Sequence, residues 1–283
     1  MERALKSYPA EMPWAIVQAK NQAFAVATQD LREMVIMPEV AEIPDVPDYV
    51  RGVINLRGRV IPLLDLRKRM GLTSAREETE SFCTLMEQRE QDHRRWLNEL
   101  EASVKECRPF TLATDPHKCA FGKWYDTYHA DNSWVDGLLK RFDAPHQEIH
   151  GIAIQVENLK AKEAHGAAEE LIRKTREGAL AKMLKLFADL RELVRHAGRE
   201  TAVILQNEGK MFAISIDLAE SIEKLQPGSI EEVPAAVPIA NDAVVKRFGK
   251  RAKNGEVVLI IETDRLMSRG EIDAMTTMQQ PAA

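Results

Sequence analysis

Two histidines four residues apart, in His146-Gln147-Glu148-Ile149-His150, have a spacing that suggests chemistry. On a helix that spacing puts both rings on one face. Neutral imidazoles placed so can bind one metal ion through two nitrogens. Alone the pair is a weak signal, because two ordinary surface or core histidines read the same way. Cys119 adds weight, lying in Lys118-Cys119-Ala120-Phe121-Gly122-Lys123-Trp124, and so does His93, three residues before Trp96 on the apolar face of its helix. A lone histidine there is more often a satisfied core side chain than a ligand. One cysteine and three histidines nevertheless supply the four nitrogen and sulfur donors of a closed tetrahedral zinc site. Thiolate and imidazole are poor ligands for magnesium or calcium, so the expected cofactor is Zn2+.

The same five residues superficially resemble the His-Glu-x-x-His of zinc hydrolases, but the glutamate is misplaced. At roughly 100° per residue, Glu148 points about 180° away from the line between the two histidines. Position 147 is a glutamine, which cannot act as a general base, and four protein ligands leave no open position for water. A non-enzymatic role is expected, with a zinc hydrolase as the alternative. A closed site still has chemistry available: an oxidant that converts the Cys119 thiolate to sulfenic acid weakens the metal's hold. Structural zinc contributes on the order of 10 kcal/mol to folding, so losing one ligand can loosen the surrounding helices. Cys119 is thus the redox-sensitive candidate. The alternative is a zinc that only staples the helices together.

The elements that must hold these residues change character twice along the chain. Up to residue 72 the pattern is mainly strands. Trp14-Ala15-Ile16-Val17 and Phe24-Ala25-Val26 flank Lys20-Asn21-Gln22 as a hairpin, and Met34–Met37 ends at Pro38. Gly52–Leu56 and Val60–Leu66 surround an Arg57-Gly58 turn, with a short helix expected at Arg67–Met70. From about 75 to 198 proline is scarce and the apolar period becomes three-and-four, as in Leu180, Met183, Leu184, Phe187, Leu190 and Val194, before a stop at Gly198. Such helices bury their stripes against one another, which predicts a bundle. The 180–194 stripe either faces inward or serves a homodimer. From about 200 strands return: Thr201–Leu205 and Met211–Ile216 flank Asn207-Glu208-Gly209-Lys210, and Val257–Ile261 follows Asn254-Gly255. Each β-piece alone is small for a stable core, so one β-domain interrupted by a helical insertion is preferred over three separate domains.

The 283 residues suffice for two domains. A net charge of −5 gives no sign of a nucleic-acid binder. No apolar run approaches the roughly 18 residues of a membrane span, and Met1-Glu2-Arg3-Ala4-Leu5 lacks a signal-peptide stretch, so a cytoplasmic location is expected. Cys83, Cys107 and Cys119 are too few for a disulfide framework.

Here the sequence resembles two known families. His93 to Trp96, Cys119 to Trp124 and Pro145-His146 to His150 are similar to the His-x-x-Trp, Cys-x-Phe-Gly-x-Trp and Pro-His-x-x-x-His motifs of the chemoreceptor zinc-binding (CZB) domain. That resemblance covers about residues 80–165. It implies that His93, Cys119, His146 and His150 bind zinc in a small helical bundle, and that the module senses zinc or oxidants such as hypochlorite. His117 is the runner-up ligand, while His129, His165 and His196 match no motif.

Pro47 to Arg67 resembles the core signature of CheW-like domains, which consist of two small β-barrel subdomains and couple chemoreceptors to the histidine kinase CheA. Thr201 to Ile216, a Glu220-Ser221-Ile222 turn and Val257 to Leu266 resemble that family's second half. The implied architecture is α+β and multidomain. A CheW-like double β-barrel (12–72 and 200–270) is interrupted by a zinc-binding helical bundle (76–198), and the insertion falls between the two β-subdomains. The implied partners are CheA and chemoreceptor tips. Asn55, Arg57 and Arg59, on an exposed turn, are the candidate partner-binding residues, the alternative for Arg57 being an internal salt bridge. Val53, Ile54, Ile61 and Leu63 are expected in the barrel core. Lys246-Arg247-Phe248-Gly249-Lys250-Arg251 departs from the family in being basic where an apolar stretch is usual, which puts the usual surface in doubt.

Overall fold

The N-terminal apolar runs fold as the expected hairpin, β1 (Trp14–Ala19) and β2 (Gln22–Ala27), pairing antiparallel from Trp14↔Ala27 to Ala19↔Gln22. The computed structural model describes residues 5–9, 11–207, 209–234 and 244–277. Next come β3 (Leu31–Ile36), β4 (Val40–Ala41), β5 (Val50–Leu56), β6 (Arg59–Asp65) and a single turn of helix, α1 (Leu66–Arg69). Asp65 caps α1 by accepting from the Lys68 N–H at 3.0 Å.

The helical segment opens with α2 (Ala75–Lys105). Ser74 and Glu77 form a reciprocal capping box at its start: the Ser74 hydroxyl accepts from the Glu77 N–H at 3.0 Å, and Glu77 accepts from the Ser74 N–H at 3.1 Å. A 3₁₀ turn (Pro116–Lys118) leads into α3 (Ala120–Tyr125), followed by α4 (Ser133–Leu139), a second 3₁₀ turn (Lys140–Phe142) and α5 (Asp143–Ala161). Then α6 (His165–Thr175) and α7 (Ala181–Ala197) are joined by one π-helical turn, Arg176–Leu180. Arg191 bonds Glu90 at 2.9 Å, and Arg176 bonds Glu101, so rising numbers on α2 meet falling numbers on the last helices. The two run antiparallel and bring the chain back.

After the bundle the strands resume as β7 (Thr201–Asn207), β8 (Lys210–Ile216), β9 (Leu218–Glu223), β10 (Glu231–Glu232), β11 (Val245–Lys250) and β12 (Val257–Ile261). Two short helices follow, α8 (Thr263–Leu266) and α9 (Arg269–Thr277). Glu208, in the expected β7–β8 turn, lies outside the described residues.

Residues up to Glu77 and from Gly198 onward form one compact unit, and Glu78–Ala197 form the other. In the first unit the strands make two six-stranded sheets, ordered β10-β11-β12-β2-β1-β9 and β3-β7-β8-β6-β5-β4. Both sheets take strands from both sides of the helical segment. Within the first sheet the strands from the two sides pair as β12 with β2, parallel, and β1 with β9, antiparallel; within the second they pair as β6 with β8, parallel, and β3 with β7, antiparallel. This corrects the expected point of insertion. The helices enter between β6 and β7, two strands of one sheet, and not between the two β-subdomains. The expected Glu220–Ile222 turn is also corrected: it lies within β9, where Ile222 and Ser221 pair with Ala15 and Ile16.

A shared core packs Val17, Phe24, Leu64, Leu66, Val203, Phe212, Ile214 and Ile261. Each such large side chain, fully buried, contributes about 1.5–3 kcal/mol. Val53, Ile54, Ile61 and Leu63 are buried as expected. The basic stretch has a structural explanation. Arg247 makes two bonds, 2.7 and 2.9 Å, to the fully buried Glu262, while Arg251 is bonded to Glu220 at 2.7 Å and to Glu223. On α1, Arg67 grips Asp217 through bonds of 2.6–3.0 Å, tying the segment before the insertion to the segment after it.

In the second unit the apolar stripes meet as predicted. Trp96, Leu97 and Leu100 of α2 pack with Phe121, Phe142, Ile149, Ile152 and the 180–190 stripe. Leu180, Met183, Phe187 and Leu190 face inward, buried in their own bundle, while Leu184 and Val194 of the same stripe are half-buried.

Candidate metal centre

His93 lies midway along α2, Cys119 immediately precedes α3, and His146 and His150 sit one turn apart on α5. Their ligand atoms all lie within 4.8 Å of one another. In a tetrahedral zinc site, metal–ligand bonds of about 2.0–2.3 Å place neighbouring donors roughly 3.3–3.7 Å apart. Cys119 Sγ and His146 Nε2 are 3.2 Å apart, close to that spacing.

The ring orientations carry more information. His93 Nδ1 lies 2.7 Å from the Arg89 carbonyl and His150 Nδ1 3.2 Å from the Ala113 carbonyl. A carbonyl only accepts, so each Nδ1 carries the proton and each Nε2 offers its lone pair. Both Nε2 atoms are buried without a hydrogen-bond partner. Two orphaned buried nitrogens facing a thiol and a third imidazole are costly without a ligand. The donor set fits zinc. His93, His146 and His150 would bind through nitrogen and Cys119 through sulfur, with the two carbonyls fixing tautomer and orientation from behind.

Electrostatics favour the metal-ready form. Burial, then the neighbouring imidazoles, brings the His146 pKa down to about 3. Burial and His93 bring His150 down to about 4, and burial also lowers His93. All three rings are therefore neutral at pH 7. Burial raises the Cys119 pKa, only partly offset by the Gly122 and Phe121 N–H groups. The free thiol is therefore protonated at neutral pH, and metal binding must displace that proton. His93, Cys119 and His150 also open onto a cleft of about 830 Å3, flanked by Asp92, Arg95 and Lys118.

A CheW-like domain matches residues 14–93, and a chemoreceptor zinc-binding domain matches residues 93–157. The chain carries both domains. Residues 14–93 span the first six strands, α1 and the first part of α2, so the CheW-like match ends inside a helix. The strands after residue 200 lie in the same two sheets as the strands of the CheW-like match. The chain is 26% identical over 85 residues to chemotaxis protein CheW of Helicobacter pylori, covering 30% of this chain and 52% of that protein. It is 40% identical over 55 residues to CheW of Rhizobium meliloti, covering 19% and 36%. Against CheW of Bacillus subtilis it is 33% identical over 57 residues, covering 20% and 36%. These alignments thus span between about a third and about half of the relatives' own lengths. The scaffolding protein TtCheW of Thermoanaerobacter tengcongensis aligns over 93% of this chain and 97% of its own, at 13% identity and a TM-score of 0.44.

Within the zinc-binding domain, the competing histidine His117 is exposed and turned to Asp126 at 3.0 Å. Neither it nor His129, His165 or His196 joins the cluster. Gln147 bonds Asp143 at 2.9 Å, and Glu148 is exposed on the face of α5 opposite the buried histidines. Cys83 is buried, its thiol 3.9 Å from the Arg191 carbonyl, and Cys107 is exposed.

In the CheW-like domain, the candidate partner residues form a tight hairpin turn between β5 and β6. Arg57 and Gly58 both have positive φ, 52° and 81°, the signature of a type I′ turn, and Asn55 Oδ1 accepts from the Gly58 N–H at 2.9 Å. Arg57 reaches Glu33 at 2.8 Å yet its side chain remains 78% exposed, and Arg59 is exposed. Both readings of Arg57 therefore keep some support. An exposed ion pair contributes little, so Arg57→Ala is expected to change unfolding free energy by less than about 1 kcal/mol in urea denaturation. A larger loss would show that the pair orders the turn.

Two contributors escaped sequence reasoning. The Ala113 carbonyl has no side-chain signal at all. Gly122 was visible in the Cys-x-Phe-Gly motif, but its neighbour was not: a Cβ there would meet the Pro116 carbonyl oxygen at 1.9 Å. Among the described residues no helix is long and apolar enough to cross a membrane.

Proposed function

We propose that this protein is a chemotaxis coupling adaptor. In this reading its CheW-like domain (12–72 and 200–270) links chemoreceptors to the histidine kinase CheA, and the inserted bundle (76–198) makes that coupling respond to zinc or to an oxidant. The observation that carries the reading is the convergence of His93, Cys119, His146 and His150 inside a bundle that interrupts a single sheet of the CheW-like domain. Zinc bound there supplies a Lewis-acidic centre that keeps the Cys119 sulfur as thiolate at neutral pH. The residues do the rest. His93 and His150 hold their protons on Nδ1 against carbonyls, His146 faces the sulfur, and the cleft admits small solutes to Cys119.

With hypochlorous acid the balance is simple. The thiolate sulfur loses two electrons and gains the oxidant's oxygen as sulfenic acid, and chlorine leaves as chloride. A sulfenic acid is a poorer ligand than a thiolate, so metal and bundle loosen together. Asn55, Arg57 and Arg59 are the partner contacts in this reading, and the location is cytoplasmic.

The test uses the full chain with purified CheA and receptor signalling domains. Binding and kinase activity are compared for zinc-loaded, chelator-treated and hypochlorite-treated protein. Severalfold differences between these states are expected. Binding to CheA that ignores all three treatments leaves an adaptor with a zinc staple, and no binding at all removes the adaptor reading too.

A further inference from the structure

Two side chains meet on one backbone carbonyl. Trp96 Nε1 donates to the Ala113 oxygen at 2.8 Å, and His150 Nδ1 lies 3.2 Å from the same atom. A carbonyl has two lone pairs, so both bonds can be held at once. The indole and imidazole rings are 4.7 Å apart, and Phe110 packs on the indole edge at 5.1 Å. We propose that Trp96 is a positioning residue for the metal centre: its indole N–H pins the Ala113 carbonyl, and that carbonyl fixes the tautomer and aim of His150. The inference rests on the zinc reading above and adds to it a residue that touches no metal.

The contrast with His93 gives the reason. His93 Nδ1 donates to Arg89, four residues earlier on the same helix, so its acceptor is held by α2 itself. His150 instead depends on Ala113, which lies in an irregular and exposed stretch between α2 and the Pro116–Lys118 turn. The backbone of an exposed residue has water as a ready alternative partner. Left to itself the carbonyl would swing, and His150 could equally put its proton on Nε2, where it blocks the lone pair that faces the other donors. Trp96 is 5% exposed and anchored in the apolar core, so it presents its one donor at a fixed point. A buried tryptophan usually finds such a partner. Here the partner is also the atom that orients a ligand, which gives the tryptophan three residues after His93 a physical role.

The test compares Trp96→Phe, which removes the donor and keeps an aromatic ring, with Phe110→Leu, which disturbs packing around the indole and keeps the donor. Zinc affinity is read by competition with a chromophoric chelator, and the ligand field by the visible bands of cobalt-loaded protein. Trp96→Phe is expected to weaken zinc roughly 10–100-fold, the usual effect of losing an outer partner of a metal ligand, and to shift or broaden the cobalt bands. Phe110→Leu is expected to stay within about threefold of wild type on the same scale. Equal losses in both variants, or none in Trp96→Phe, overturn the proposal. Should Trp96→Phe fail to fold, nitrogen-15 NMR of the metal-free wild type decides: His150 protonated on Nδ1 supports the proposal, and on Nε2 overturns it. A wild type that takes up neither zinc nor cobalt removes the zinc reading itself, and this inference with it.

Discussion

Replacing Cys119 with serine is expected to remove zinc from the protein while leaving the metal-free bundle as stable as before. The two halves of that result have separate causes. A neutral hydroxyl is a far poorer zinc ligand than a thiolate. If about 10–16 kcal/mol of binding is shared over four ligands, losing one costs on the order of 3 kcal/mol, roughly a hundredfold or more in affinity. Fold stability is another matter. Cys119 also caps α3, its sulfur accepting from the Gly122 N–H at 3.1 Å. Serine is among the preferred residues at that position, so the cap survives the exchange. Metal analysis should find wild type near one zinc per chain and Cys119→Ser well below it. Calorimetry should show zinc raising the melting temperature of wild type alone, because a ligand bound only to the folded state stabilises in proportion to its saturation. With CheA present the same pair separates sensing from stapling: loss of zinc with unchanged coupling means a staple. A Cys119→Ser protein that keeps one zinc at wild-type affinity would remove Cys119 from the ligand set.

The elements and the cluster were more legible in the sequence than their arrangement. Short apolar runs flanking polar or glycine-containing turns gave the β1–β2 hairpin, the Arg57-Gly58 turn and the β7–β8 pair, because each is built from neighbours in the chain. The three-and-four period gave the bundle for the same reason. Long-range pairing leaves no such local trace. Nothing near Phe24 announces that its strand lies parallel to β12, over two hundred residues away, so the insertion point was placed between subdomains when it lies inside one sheet. The Glu220–Ile222 turn was expected only through the family resemblance; the segment lies in β9, an edge strand whose partner β1 comes from the other end of the chain. The basic Lys246–Arg251 stretch looked like an altered surface, yet Arg247 and Arg251 answer acidic residues supplied by Glu262, Glu220 and Glu223. At the metal centre the side chains were readable as donor types. The backbone carbonyls that aim them were not, since any residue can supply one.

Gly122 sets two effects against each other, and magnitude decides between them. Alanine is the better helix former by about 1 kcal/mol, and Gly122 has no left-handed backbone to lose, so propensity alone predicts that Gly122→Ala stabilises. Space predicts the reverse. The added Cβ would sit 1.9 Å from the Pro116 carbonyl oxygen and 2.8 Å from its carbon. That neighbour is backbone inside a 3₁₀ turn, with no flexible tip to swing aside, so α3 has to move off the turn as a body. Overpacking of this kind costs about 1–3 kcal/mol or more, and the direct backbone clash places it at the upper end. A net destabilisation of roughly 2 kcal/mol is expected on these scales. The metal pays as well, because the Gly122 N–H holds the Cys119 sulfur in place and a shift of α3 carries that sulfur away from His146. Zinc affinity should fall at least about tenfold, as for loss of an outer partner. Gly151, exposed on α5 with nothing within 4 Å of its would-be Cβ, is the matched control: Gly151→Ala should stabilise by up to about 1 kcal/mol and leave zinc binding unchanged. Urea denaturation and chelator competition on both variants measure the difference. If Gly122→Ala behaves like Gly151→Ala, helix propensity outweighs the contact, and α3 packs farther from the Pro116 turn than this geometry requires.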